Sequence, residues 1–314
     1  PDRGPLCVGL TGALTEIANG HTTNLLSGLI SESDLPGGLA AEGIMDVAAT
    51  RTGLRVLYAE SVVGALVNLP PGTSFTPTDN AAVRAQFGKL TAVIGGGNTV
   101  LADVGDADYS WAAVNQNLVP TQFPDANPSS MAVVGDTTYV ADAGSNTVDA
   151  VNGRGQVQQL AFLPSSQRSD ATPTCVAVGP GHRNLYIGQL APFTGPGNGK
   201  VYRYNLATHK LSVWQTGFGA VDGCGFDGAG NFYAVEFQHA GFFPGRSGFG
   251  SGSGDIVKIT PSGQRSLLGV GELNFPQGFA TDGKGGIYVS NNSIFTATPA
   301  GPGGPTGEVV RVGP

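Results

Sequence analysis

One phrase recurs along the chain and settles its architecture before any local assignment. It is a short apolar strand, a Gly-rich turn, a second strand carrying an aromatic or aliphatic pair, and a closing polar residue. Its copies are GIMDVAATRTGLRVLYAE at 43 to 60, SSMAVVGDTTYVAD at 129 to 142, PTCVAVGPGHRNLYIGQ at 173 to 189, VDGCGFDGAGNFYAVE at 221 to 236 and PQGFATDGKGGIYVSN at 276 to 291. The turns GD, GPGH, DGAG and DGKG fall where two alternating strands need a tight reversal, so each copy reads as a β-hairpin. A repeat of this kind outranks local propensity, because one hairpin cannot bury its own apolar face and must stack on its neighbours.

After each hairpin comes a second motif that starts near Gly and alternates. These are FGKLTAVI at 87 to 94, NTVDAV at 146 to 151, GKVYRYNL at 199 to 206, GDIVKITP at 254 to 261 and GEVVRVGP at 307 to 314. A fourth strand follows in most copies, as in QVQQLAF at 156 to 162 and KLSVWQTG at 210 to 217. Four antiparallel strands, lettered a to d, in a unit of about 45 residues make the blade of a β-propeller. The reading is a single domain over 1–314, with blades at 43–127, 128–172, 173–220, 221–275 and 276–314 after a partial blade at 1–42. The long step from 43 to 128 holds the loop 61 to 86 and GDADYSWAAVNQN at 105 to 117, whose Asp-rich start suits a short helix.

The opening segment 11 to 29 resembles strands c and d of a blade without its inner hairpin, and the last blade ends after strand c. That count favours an all-β, six-bladed propeller whose missing strands come from upstream sequence or another chain. A five-bladed ring closed by the N-terminal d strand would leave one c strand surplus and ranks second.

Composition agrees and narrows the partners. Fifty Gly and 21 Pro in 314 residues oppose long helices, while 40% hydrophobic residues supply a large core. With 16 basic against 23 acidic residues the net charge is −7, which offers no basic face to nucleic acid. No run of about 18 uncharged apolar residues marks a transmembrane segment. Cys7, Cys175 and Cys224 are widely spaced and odd in number, and they read as small apolar residues. Cys175 and Cys224 lie on a strands of neighbouring blades, one step out of register, so both are expected reduced and buried.

PTCVAVGPGHRNLYIGQL, YVADAGSNTVDAV followed by QLAFLPS, GIYVSNN and the final GEVVRV resemble the ScyD/ScyE family, and CVGLTGALTEI looks like its first-blade outer strand. The similarity runs in order through nearly the whole chain. It departs at the loop 61 to 86, the GRSGFGSGSG insert at 245 to 254 and the absent first hairpin. The resemblance implies an NHL-like six-bladed propeller, usually exported to a secreted or periplasmic location, and associated with gene clusters for the pigment scytonemin in cyanobacteria. It implies no settled chemistry and no catalytic residues.

Candidate chemistry follows from the repeat itself. Residues that close strand b are neighbours across a propeller ring, and here they are Glu60, Asp142, Gln189, Glu236 and Asn291, all oxygen-bearing. Asp46 and Asp222 adjoin them on strand a. Such a ring suits a hard cation such as Ca²⁺, which takes six to eight oxygens at about 2.3–2.6 Å, or else a hydrated funnel mouth. Glu60, Asp142 and Glu236 are expected to make that mouth the most negative part of the surface. The loop after Glu236 carries His239 with Phe237, Phe242, Phe243 and Phe249 around Arg246. Of these, Glu236, His239, Phe242, Phe243 and Arg246 are the expected contacts for a planar or apolar ligand. The leading function is a binding or scaffolding propeller for a small molecule or protein partner. The alternative is a Ca-dependent hydrolase or lyase at the funnel.

Overall fold

Inner-strand contacts define the ring. The computed structural model describes residues 6–34, 42–61, 77–118, 124–165, 170–190, 195–241, 254–293 and 307–313. Each recurring phrase forms an antiparallel hairpin: β3 (Ile44–Ala49) with β4 (Leu54–Tyr58), β7 (Pro128–Val134) with β8 (Thr137–Asp142), β11 (Pro173–Val178) with β12 (Asn184–Gln189), β15 (Ala220–Phe226) with β16 (Phe232–Gln238), and β19 (Phe279–Thr281) with β20 (Ile287–Asn291). The outer strands follow in order. They are β5 (Lys89–Ile94) and β6 (Gly97–Asp103), β9 (Thr147–Val151) and β10 (Val157–Phe162), β13 (Gly199–Asn205) and β14 (Lys210–Phe218), β17 (Gly254–Ile259) and β18 (Arg265–Leu273), and the single β21 (Glu308–Val312). Strands β3, β7, β11, β15 and β19 touch in that sequence, so they are the inner strands.

The six-bladed count is corrected: the described residues form five blades, four of four strands and one of three. The N-terminal segment is instead a long two-stranded ribbon, β1 (Leu6–Ala18) with β2 (His21–Asp34), reversed at Asn19 and Gly20, both with positive φ. It brings no inner strand. Its Leu14, Leu29 and Ile30 are buried in one cluster with Val56, Tyr58, Phe87 and Val93 of the first blade. Gln86 fastens the ribbon there, its Oε1 accepting from Ile30 N at 2.9 Å and its Nε2 donating to the Gly28 carbonyl at 3.1 Å. The sequence count failed because an exposed ribbon and two outer blade strands share the same alternation.

The remaining core lies between blades. One apolar cluster joins the first blade to the second through Leu57, Leu90, Met131 and Val140, and another joins the third to the fourth through Val201, Phe218, Val221 and Phe232. The expected helix is present as α2 (Val104–Val114), with Asp103 as its N-cap accepting from Asp106 N, and α1 (Pro77–Arg84) precedes it. No helix among the described residues is long and apolar enough to cross a membrane.

The inner strands are also stitched by polar side chains. Asp46 accepts from Met131 N at 2.7 Å, Ser130 Oγ accepts from Val176 N at 3.2 Å, Thr174 donates to the Val221 carbonyl at 2.6 Å, and Gln277 donates to Asp222 at 2.8 Å. Cys175 and Cys224 are joined in a disulfide between the third and fourth blades, with Cα atoms 5.7 Å apart, which corrects the expectation of two reduced thiols. The cause is how blades stack. Both inner strands carry the same bulge, between Pro173 and Cys175 and between Val221 and Gly223, so Cys224 stays one step beyond the position equivalent to Cys175. Neighbouring blades meet through opposite faces, and that one-step offset is where they touch, as Asp46 meets Met131 and Ser130 meets Val176. Gly188 leaves room for the sulfur, since a Cβ there would lie 2.6 Å from Cys175 Sγ.

Candidate functional site

All five residues expected to close strand b are buried, Asp142 completely and the others with at most 6% of their surface exposed. Glu60, however, stands two residues beyond the end of β4, where Tyr58 takes the position equivalent to Asp142, and Glu236 lies within β16. Much of their oxygen chemistry is used within the blade. Asp142 Oδ1 accepts from the N–H groups of Asn127, Gly144 and Ser145, each at 2.9 Å. Asn291 Oδ1 accepts from Asn274 N at 2.7 Å while its Nδ2 donates to Glu308 at 2.9 Å. Glu236 Oε1 accepts from Gly219 N at 2.7 Å. The Glu60 backbone N–H donates to Asn127 Oδ1 at 3.2 Å. Gln189 Oε1 is buried with no hydrogen bond.

The three acids of this set fall into separate groups. Glu60 lies with Glu32 and Glu42, their candidate ligand atoms all within 4.8 Å of one another, and Glu236 lies likewise with His239 and Asp255. Asp142 faces Asp108 of α2, which also faces Asp149 of β9. Neither group of three within 4.8 Å contains two of the five closing residues, so among the described residues the acids do not share one cation cage. Asp46 and Asp222 sit on the inner strands, partly accessible but walled in by protein. Burial raises Asp46 to about 6 and, aided by the Glu42 charge, Asp222 to about 7.

The Glu236 group combines burial with an opening. Glu236 and Asp255 are cross-strand partners on β16 and β17, 1% and 3% exposed. Like charges placed so are mutually destabilising. Between them sits His239, its Nδ1 2.8 Å from Glu236 Oε2 and 3.1 Å from Asp255 Oδ2, with 61% of its side chain exposed. Burial, then the Asp255 carboxylate, pushes Glu236 up to about 7. Burial alone would lower the imidazole, but the bond to Glu236 and both acidic charges outweigh it and raise His239. Arg265, stacked 4.4 Å over Phe218, also feels the Glu236 charge.

Backbone close approach builds this corner. A Cβ on Gly219 would stand 2.3 Å from the Gln238 carbonyl oxygen and 2.6 Å from that of His239. We therefore expect Gly219→Ala to cost about 1–3 kcal/mol by displacing the 238–239 backbone. The measurement is chemical denaturation alongside the His239 ring resonances; an unchanged midpoint and unmoved resonances would refute it.

Of the expected ligand contacts, Glu236 and His239 are together, whereas Phe242, Phe243 and Arg246 lie outside the described residues, as does Phe249. Phe237 belongs to the core, its ring 5.0 Å from that of Phe275. The sequence reading missed Asp255 and Gly219. For Asp255 a signal existed: an acid directly after Gly opens strand c at both 254–255 and 307–308, and both acids pair with the residue closing strand b.

No protein-family model and no curated protein matches the chain. Among solved structures it is similar to a chain of a nidogen/laminin complex, with TM-score 0.54 and 13% identity over 91% of this chain and 84% of that one. Further matches are virginiamycin B lyase from Staphylococcus aureus, TM-score 0.47, 12% identity, covering 92% and 86%, and a luciferin-regenerating enzyme, TM-score 0.47, 11% identity, covering 98% and 95%. At such identity the first likeness establishes the propeller architecture alone, and the other two carry no further argument.

Proposed function

We propose that this chain is an exported binding or scaffolding propeller of ScyD/ScyE type, accessory to secondary metabolism, that receives a small molecule or protein segment against His239. The observation that carries the reading is the Glu236–His239–Asp255 corner. There two buried carboxylates fix an imidazole by one nitrogen and leave the rest of the ring to solvent, which is how a protein presents a rigid polar contact. Among the described residues no serine or cysteine is hydrogen-bonded to a histidine; the hydroxyl on His209 is that of Tyr204. That favours binding over covalent catalysis. The Cys175–Cys224 bridge supports export, because such bonds persist in oxidising compartments.

The test uses 8-anilinonaphthalene-1-sulfonate, a planar apolar anion, as a fluorescent probe. One saturable site is expected in the native chain, about tenfold weaker in His239→Gln. Equal affinity in the variant, or no saturable site, overturns the reading.

A second reading, a Ca-dependent hydrolase or lyase, is favoured by the environment of Glu236: burial pushes its carboxyl up to about 7 beside a solvent-facing imidazole, the range in which general acid–base catalysis works at neutral pH. Turnover of p-nitrophenyl acetate or a simple lactone that requires Ca²⁺ and vanishes in Glu236→Gln would establish it. Turnover indifferent to both removes it.

A further inference from the structure

We propose that Glu236, His239 and Asp255 form a site for one divalent transition-metal ion of the Zn²⁺ class, bound through Glu236 Oε2, His239 Nδ1 and an Asp255 carboxylate oxygen. It rests on the corner assigned above as the docking site and gives that corner a cofactor.

Donor geometry comes first. The three side chains offer atoms that all lie within 4.8 Å of one another. Nδ1 stands 2.8 Å from one carboxylate oxygen and 3.1 Å from the other. Donors about 2.0–2.2 Å from a tetrahedral ion stand roughly 3.3–3.6 Å apart. Seating an ion therefore asks His239 to move back from Glu236 by roughly half an ångström or slightly more and less from Asp255, within reach of an imidazole that is mostly exposed.

Unsatisfied charge is the second observation, independent of that spacing. A single Nδ1–H faces two anionic oxygens and can serve only one well. Asp255 Oδ1 is buried with no hydrogen bond at all, in a residue 3% exposed. A buried carboxylate with an unmet oxygen, held directly opposite a second buried carboxylate, costs free energy until a cation or proton joins them. Arg265 is a nearby cation that feels Glu236, and it lies across the Phe218 ring.

Chemistry of the donors then selects the ion. One imidazole with two carboxylates departs from the all-oxygen shell that Ca²⁺ and Mg²⁺ prefer and matches Zn²⁺ and its neighbours. Three protein ligands leave a fourth position on the His239 side, where the corner opens to solvent. An ion here would offer that position to a carboxylate, phenolate or carbonyl of the docked molecule. The Glu32–Glu42–Glu60 group has the spacing but only carboxylates, and among the described residues none of its three members carries a buried oxygen without a hydrogen bond.

The experiment titrates chelator-stripped full-length chain with ZnCl₂ by calorimetry, with CoCl₂ for its visible ligand-field bands and with CaCl₂ as control. One Zn²⁺ per chain is expected, with proton release as Nδ1 is freed, and with Co²⁺ bands of a low-symmetry N/O site. Ca²⁺ should bind at least tenfold more weakly. His239→Gln changes an exposed side chain and Asp255→Asn is nearly isosteric, so both should fold. Each should weaken Zn²⁺ by at least the roughly 10–100-fold that even outer-shell changes cause. His21, His182 and His209 remain in both variants and control for adventitious binding. Absence of Zn²⁺ binding, or undiminished binding in either variant, overturns the site. The titration contains no fluorescent probe, so its failure leaves the docking reading standing. Undiminished probe affinity in His239→Gln sinks that reading without touching the metal.

Discussion

Reducing the Cys175–Cys224 bridge is expected to lower the melting temperature by about 6 °C. The bond closes a loop with a sequence separation of 49 residues, for which the loop-entropy relation gives about 4 kcal/mol. Dividing by an unfolding entropy of about 2.1 cal/mol/K per residue over 314 residues gives the shift. The bridge ties two inner strands that already touch, in a pocket where Gly188 N–H donates to Cys175 Sγ at 3.2 Å. The double variant Cys175→Ala/Cys224→Ala should melt where the reduced native chain does and ignore reductant. Denatured without reductant, the native chain should alkylate at Cys7 alone. Three labelled thiols under those conditions, or a melting temperature indifferent to dithiothreitol, would remove the bridge from the account of stability.

The hairpins were legible because three signals coincide in each phrase: Gly or Asp at the turn, alternation on both sides and a polar stop. Where one signal stands alone, reading fails. Alternation at 6–34 describes a ribbon as well as two outer blade strands, and only the burial of Leu29 and Ile30 against the first blade decides between them. The facing of neighbouring blades leaves no mark in either strand, so nothing near Cys175 or Cys224 announces that a one-step offset between inner strands brings the sulfurs together. Glu236 and His239 were found because they are three residues apart in one strand end. Asp255 joins them from across the loop that follows, and that pairing depends on a register the loop's own residues do not encode. Asp149 illustrates the same limit from the other side. Alternation sends an acid in strand c to either face, and here α2 covers that face and buries it.

That burial leads to an inverted pH profile. Asp108, Asp142 and Asp149 are each fully buried, and Asp108 Oδ2, Asp142 Oδ2 and Asp149 Oδ1 lack hydrogen bonds. Gln159 donates to Asp108 at 2.9 Å and Thr147 to Asp149 at 3.2 Å. Burial, then the neighbouring acid, raises Asp108 and Asp142 well above the usual carboxylate range. Burial raises Asp149 to about 8, offset by its bond to Asp108 and reinforced by the Asp142 charge. Three carboxylates sharing a dry space can be hydrogen-bonded to one another only by keeping protons, which the unfolded chain gives up near 3.8. The folded state therefore holds protons that the unfolded state releases, and the stability they confer is complete below pH 3.8 and lost as pH rises toward about 8. Asp46 and Asp222 are raised in the same direction and add to the trend. The expected result is a denaturation free energy that falls from pH 5 to pH 8 by about 1.4 kcal/mol per pH unit for each proton retained. Asp108→Asn is the informative variant, because an amide at the centre of the group donates hydrogens without needing to titrate. It should be more stable than the native chain at pH 8, and its profile should be flatter by about one proton. A native profile that rises from pH 5 to pH 8, or an Asp108→Asn profile of unchanged slope, would mean that these acids are ionised in the folded protein and neutralised by a bound cation.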